Sequence, residues 1–223
     1  MSATEIRNLA RRAGIAAGVS VLDLCCGVAG PGRFITRELG CAYLGVDASA
    51  DAIDIARKRA HDLPCRFEVA RVPPVGPGPC DVVLLLEVML AFADKAALVN
   101  GVARALAPGG RFAFTLEAGT PLTDAERERM PDADTVWLTP VEEMRTLLDG
   151  AGLAVRWQAD WSHAHRAVAD ALTAAFTADA TDITAQIGRR ALDELLAAHR
   201  LWSEWLGSGR VRKFAFVAEK TAA

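Results

Sequence analysis

No hydrophobic run in this sequence is long enough to cross a membrane. The longest, Val82-Val83-Leu84-Leu85-Leu86, is cut off by Glu87, whereas a spanning helix needs about 20 apolar residues. The first ten residues contain Glu5 and Arg7 and no apolar stretch, so no secretory leader is expected. Basic residues form no block. Lys and Arg total 25 against 28 Asp and Glu, for a net charge of −3, and Arg210, Arg212 and Lys213 make too short a cluster for a nucleic-acid footprint. The five cysteines, Cys25, Cys26, Cys41, Cys65 and Cys80, are odd in number and show neither a CxxC pair nor a zinc spacing. Small buried hydrophobes in a reducing cytoplasm are the expected reading, with no metal site. Internal repeats and low-complexity tracts are also missing.

What remains is a chain of 223 residues, 52% hydrophobic and 24% charged, long enough for one well-buried domain spanning 1–223. Its first two-thirds alternates short apolar runs with helical patterns. Strands are expected at 20–24, 42–47, 65–69, 81–86, 111–116 and 153–161. Helices are expected after the turn at 25–32 as far as Leu39, over 50–60, from Asp94 to Pro108-Gly109-Gly110, and from Thr139-Pro140-Val141-Glu142, read as a capping box, to Gly150. The stretch from Pro73 to Pro79 is rich in proline and glycine and reads as a loop. Leu116 to Pro140 reads as a second, long loop. Such alternation predicts an α/β, doubly wound, parallel sheet with helices on both faces. The pattern breaks at 162–208, where helical stripes such as Val168, Leu172, Ala175 and Phe176 predict a helical insertion, before a last strand at 211–219.

The turn after the first strand carries the chemistry. Val21-Leu22-Asp23-Leu24 runs into Cys25-Cys26-Gly27-Val28-Ala29-Gly30-Pro31-Gly32 and then a helix. Small residues let a ligand approach the backbone, and the helix start offers free N–H groups. Asp47, at the end of the second strand, stands 20 residues after Gly27, where a carboxylate can accept hydrogen bonds from ribose hydroxyls. A nucleoside-containing ligand is implied. The dinucleotide pattern G-x-G-x-x-G is broken, because Ile35 stands where its third glycine belongs. That argues against a nicotinamide-dependent oxidoreductase without removing it. A binding module without catalysis is a third reading.

Four segments resemble the class I S-adenosylmethionine-dependent methyltransferases. Asp23-Leu24-Cys25-Cys26-Gly27-Val28-Ala29-Gly30 is similar to their first motif and Gly45-Val46-Asp47 to their ribose-binding acid. Asp81 to Glu87 is similar to their fourth-strand motif, and Leu106-Ala107-Pro108-Gly109-Gly110-Arg111 to the turn before their fifth strand. The resemblance spans about 19–160 plus the last strand. It implies a Rossmann-like, mostly parallel seven-stranded sheet with the last strand antiparallel, and a helical lid at 162–208. It also implies S-adenosyl-L-methionine as cofactor, held by Asp23, Cys25, Cys26, Gly27, Asp47, Ala48, Arg71 and Glu87. The branch it resembles most methylates O or N of a small organic molecule. The family's pattern is broken at Cys25 and Ala29, where glycine is common, and at Ala70-Arg71-Val72, which lacks an adenine-binding acid. Adenine recognition is therefore expected to rest either on backbone groups or on Arg71 stacked over the ring.

His163 and His165, which follow the sixth strand, are the candidate general bases. Glu117 is a weaker site candidate, and Trp161 offers an aromatic face to a cation. Trp157, Trp202 and Trp205 read as packing between the insertion and the sheet, and His61 and His199 as structural.

Overall fold

The computed structural model describes residues 1–76 and 78–221. Pro77, inside the expected proline-rich loop, and Ala222 and Ala223 lie outside the described residues. Seven strands form one sheet: β1 (Ser20–Leu24), β2 (Ala42–Asp47), β3 (Cys65–Val69), β4 (Cys80–Leu85), β5 (Leu106–Ala118), β6 (Leu153–Asp160) and β7 (Arg212–Lys220). Their spatial order is β3-β2-β1-β4-β5-β7-β6. β1 to β5 pair in parallel, and β7 inserts antiparallel between β5 and β6. The order reverses between β1 and β4, so a crevice opens there at the strands' carboxyl ends.

The sheet is apolar on both faces, which is why β4 reads as an unbroken hydrophobic run. Val83 and Leu85 point with Leu22, Leu24, Phe112 and Phe114 into one core, closed by α4 (Lys95–Ala105) and α6 (Val141–Gly150). Val82 and Leu84 point with Val21 and Tyr43 into the other, under α1 (Ala3–Arg12), α2 (Gly30–Leu39) and α3 (Ala50–Arg59). Short polar caps start three of these helices, α1, α3 and α4. Ser2 and Glu5 form a reciprocal capping box on α1, and the side chains of Ser49 and Asp94 accept from the first turns of α3 and α4.

Three expectations need correction. α4 ends at Ala105, and Pro108-Gly109-Gly110 lies within β5, where the pairing with β4 shifts register. The expected capping box before α6 does not form, because Pro140 itself is the N-cap and no side chain caps the helix. The expected long loop is largely structured: β5 runs on to Ala118, α5 (Asp124–Arg129) follows with its own Thr123–Glu126 capping box, and a 3-10 turn spans Ala133–Thr135. The segment 162–208 holds three helices, α7 (Ser162–Ala178), α8 (Ala180–Ile187) and α9 (Arg189–Ser208).

Candidate active site

The loop after β1 is held open from both sides. Cys25, Gly27 and Ala29 all have positive φ, at 56°, 53° and 55°. That conformation is strained for the two with side chains and turns the chain sharply into α2. Asp47 fixes the turn: its Oδ2 accepts from the Gly27 N–H at 2.8 Å and its Oδ1 from the Ser49 N–H at 2.8 Å. Each carboxylate oxygen keeps a second lone pair for a ligand hydroxyl. A Cβ built at Gly27 or Gly30 would meet nothing, so the backbone is bare to the crevice at both positions, a cradle that fits a nucleoside.

Asp23 lies below the loop and is almost fully buried. The hydroxyl of Tyr43, the chain's one tyrosine, donates to its Oδ2 at 2.6 Å. The Tyr43 ring occupies the space where a Cβ of Gly32 would stand, which explains the glycine there. Burial first, and the charge of Asp47 after it, push the Asp23 carboxyl up to about 7 against the opposing Tyr43 bond. Burial likewise pushes the Cys25 and Cys26 thiols up to about 11 and 12. They are walls of the site and not nucleophiles.

Asp23, Cys25, Cys26, Gly30, Pro31, Leu86 and Glu87 line a cavity of about 440 Å³, roofed by Met1 and Ile6. A second cavity, of about 280 Å³, lies beneath the helical segment. Leu90, Glu117, His165, Val168, Ala169, Leu172, His199 and Trp202 line it, and it shares Glu87 and Met1 with the first. Ala48 and Arg71 are exposed at the ends of β2 and β3 and line neither cavity.

At the junction sits a charged cluster. Glu87 follows β4 with a φ of 63°, its N–H donating to the Thr115 hydroxyl at 2.7 Å. The β5–β7 register sets Glu117 opposite Lys213. The Lys213 ammonium, 1% exposed, pairs with Glu117 and, at 2.9 Å, with Glu87. His165 Nδ1 lies 3.7 Å from Glu87 Oε2. Burial works to raise the Glu87 carboxyl, but Lys213 and then His165 outweigh it and hold it below the usual range. Burial works to lower Lys213, and Glu117 and Glu87 outweigh it, so its ammonium is kept. Burial and Lys213 together depress His165, with Glu87 and Glu117 only partly offsetting them, so its imidazole is neutral near pH 7 and able to take a proton. Ligand atoms of Glu87, Glu117 and His165 lie within 4.8 Å of one another, a spacing a cation could use. Each of the three is a site candidate in the sequence, but no local spacing joins them into one cluster, and Lys213 already supplies a cation to both carboxylates.

The structure thus gathers Asp23, Cys25, Cys26 and Glu87 around the first cavity, with Glu117 and His165 joining Glu87 at the second, while Gly27 and Asp47 are tied to each other at the loop and line neither. His163 is exposed on the first turn of α7 and lines neither cavity. Trp161 packs edge-on to Trp157, 6.2 Å between ring centroids, and also stays outside both. His199 and Trp202, read as structural, line the second cavity. Lys213 and Tyr43 went unmarked, because each acts through a partner brought by strand pairing.

A family model described as "Methyltransferase domain" matches residues 21–110. An uncharacterized methyltransferase, sll0829, of Synechocystis sp. is 30% identical over 166 residues, covering 67% of this chain and 72% of that protein. Methyltransferase GfsG of Streptomyces halstedii is 31% identical over 113 residues, 48% of this chain and 41% of that one. Among solved structures, a phosphoethanolamine N-methyltransferase 2 of Haemonchus contortus, in complex with phosphomonomethylethanolamine and S-adenosylhomocysteine, superposes with a TM-score of 0.85 at 19% identity. That match covers 98% of this chain and 53% of the other. The cyclopropane synthase MmaA2 of Mycobacterium tuberculosis gives a TM-score of 0.89 at 13% identity, covering 97% and 83%. The chain therefore spans about half the length, or less, of several proteins it matches.

Proposed function

The chain belongs to the class I S-adenosylmethionine-dependent methyltransferases, and from that premise we propose that it methylates a nitrogen or oxygen of a small organic acceptor bound beneath α7 and α9. The observation that carries this reading is the meeting of the two cavities at Glu87 and Met1. One has Asp23, Gly30 and the cysteines of the loop, which suit the cofactor, and the other has an apolar and aromatic wall.

When bound, S-adenosylmethionine supplies a methyl group on a cationic sulfonium. Asp47 would accept hydrogen bonds from the ribose hydroxyls, and Asp23 would hold the ammonium of the methionine part. Cys25, Cys26, Gly27 and Leu86 would form the wall between them, and Ala48 and Arg71 would hold the adenine from outside the cavity. A sulfonium is a good leaving system, so the chain's main task is to hold the acceptor atom in line with the methyl. The apolar faces of α7 and α9 exclude water from the junction. His165, neutral and beside Glu87, accepts the acceptor's proton where one must leave. The nicotinamide reading lapses with the family assignment.

Transfer of labelled methyl to a panel of amines, phenols and alcohols tests the proposal directly. His165→Gln should slow transfer to a hydroxyl acceptor by about 10²–10⁴, with binding of S-adenosylhomocysteine unaltered. His163→Gln should leave the rate unchanged. Equal rates in wild type and His165→Gln would remove the base from the mechanism.

A further inference from the structure

The second cavity is lined by two carboxylates, Glu87 and Glu117, and by two imidazoles, His165 and His199. Glu117 is 4% exposed. One of its oxygens meets Lys213, while the other, Oε2, is buried with no hydrogen-bond partner among the described residues. An orphaned buried carboxylate oxygen costs free energy until a donor reaches it. His199 Nδ1 lies 2.8 Å from the Leu195 carbonyl. A carbonyl only accepts, so Nδ1 carries the hydrogen and, in the neutral ring, Nε2 is left as an acceptor. One ammonium, Lys213, is set between the two carboxylates, and the N-terminal ammonium also acts on Glu87 and His165. Among the described residues no Arg or Lys lines this cavity. Leu172 and Trp202 instead offer a dry surface to a hydrocarbon or ring.

We propose that the acceptor is an amine on an apolar body whose N–H donors are read by Glu117, an ammonium offering several N–H groups where an alcohol offers one O–H. This rests on the reading that the second cavity holds the acceptor. The amine binds as an ammonium and must shed one proton before reacting. His165 accepts that proton and passes it to water. The freed nitrogen pair then forms the N–C bond as the pair of the S–C bond stays on sulfur, leaving a methylated ammonium and the neutral thioether. Glu117 acts here as a specificity residue and stays a carboxylate throughout.

The test is calorimetric and uses the full chain saturated with S-adenosylhomocysteine. The probes are phenethylamine, phenethyl alcohol as its neutral counterpart, and phosphoethanolamine. The amine should bind at least about tenfold more tightly than the alcohol, a difference of about 1.4 kcal/mol, and phosphoethanolamine more weakly than either. Glu117→Gln should erase the preference while the affinity for S-adenosylhomocysteine stays as in wild type. A preference for the alcohol or the phosphate compound, or an amine preference that survives in Glu117→Gln, overturns the proposal. So does a binding heat with Mg²⁺ alone that Glu117→Gln abolishes. Leu172→Trp provides the control, since Leu172 is 36% exposed and the larger side chain can fill the cavity without disturbing the core. It should block the amine and spare S-adenosylhomocysteine. Unchanged amine binding in Leu172→Trp would place the acceptor elsewhere and so defeat the cavity assignment itself. An alcohol preference that Leu172→Trp removes would defeat the amine alone.

Discussion

Asp23 is a buried carboxyl whose one strong partner is a neutral hydroxyl, and that makes its proton sensitive to whatever fills the crevice. With its folded value raised to about 7 from 3.8, the stability it contributes is complete below 3.8 and is lost as pH rises through 7. Near neutrality the free protein is thus poised between the two forms. A cation brought beside Asp23 favours the carboxylate, so binding of S-adenosylhomocysteine, which carries the same ammonium, should expel a proton. Titrations at pH 7 in buffers of different ionisation enthalpy should show release of a fraction of, and at most about, one proton. The release should shrink toward pH 9, where the site is already ionised, and vanish in Asp23→Asn, whose carboxamide oxygen can still accept from Tyr43. Buffer-independent heats in the wild type would mean that no cation approaches Asp23. The sequence marks Asp23 and Asp47 because both sit at strand ends next to small residues, a local signal. It is silent about Tyr43 and Lys213 and marks Glu117 only as a weaker candidate, because their chemistry comes from pairing across strands distant in the chain.

The same distinction separates elements that were legible from those that were not. β1, β2, β4 and the helices between them announce themselves by local period and by turns, and the structure has them where expected. The segment after β5 does not, because what orders it is remote. Leu122, Met130, Val136 and Leu138 pack with Leu201 and Trp205 of α9 and with Val211. Arg210 grips Glu126 at 2.5 Å. Only the Thr123–Glu126 capping box was there to be read locally. The consequence is that α9 and the segment 119–138 should stand or fall together. Trp205 is 3% exposed, and Trp205→Ala should cost about 3–5 kcal/mol where the whole cluster is lost with it. Urea denaturation would measure this, and limited proteolysis should show new cuts near Arg127 and Arg129. A loss under about 1 kcal/mol, with no new cuts, would show that this cluster does not hold the segment.

At the scale of the whole molecule, burial is graded from the sheet outward. The strands β4 and β5 carry side chains with essentially no exposure, among them Val83, Leu85, Phe112 and Phe114. α8 has no buried residue, and Gly188, with a φ of 85°, separates it from α9. Amide hydrogens of the central strands should therefore exchange only when the whole chain unfolds, while those of 180–187 open locally. A ligand that binds only the folded chain adds RT ln(1 + [L]/Kd) to global stability, about 2.7 kcal/mol at a hundredfold excess over Kd. S-adenosylhomocysteine at that excess should slow exchange in β4 and β5 by about a hundredfold. It should leave α8 as it was, because no residue of α8 lines either cavity. Adding the acceptor is the discriminating step, since α7 and α9 do line the second cavity, through Leu172 and Trp202 among others. Protection spreading into α7 and α9 only when both ligands are present would identify the helical segment as a cover that closes on acceptor. Equal protection with the cofactor product alone would show that the cover is already shut before the acceptor arrives.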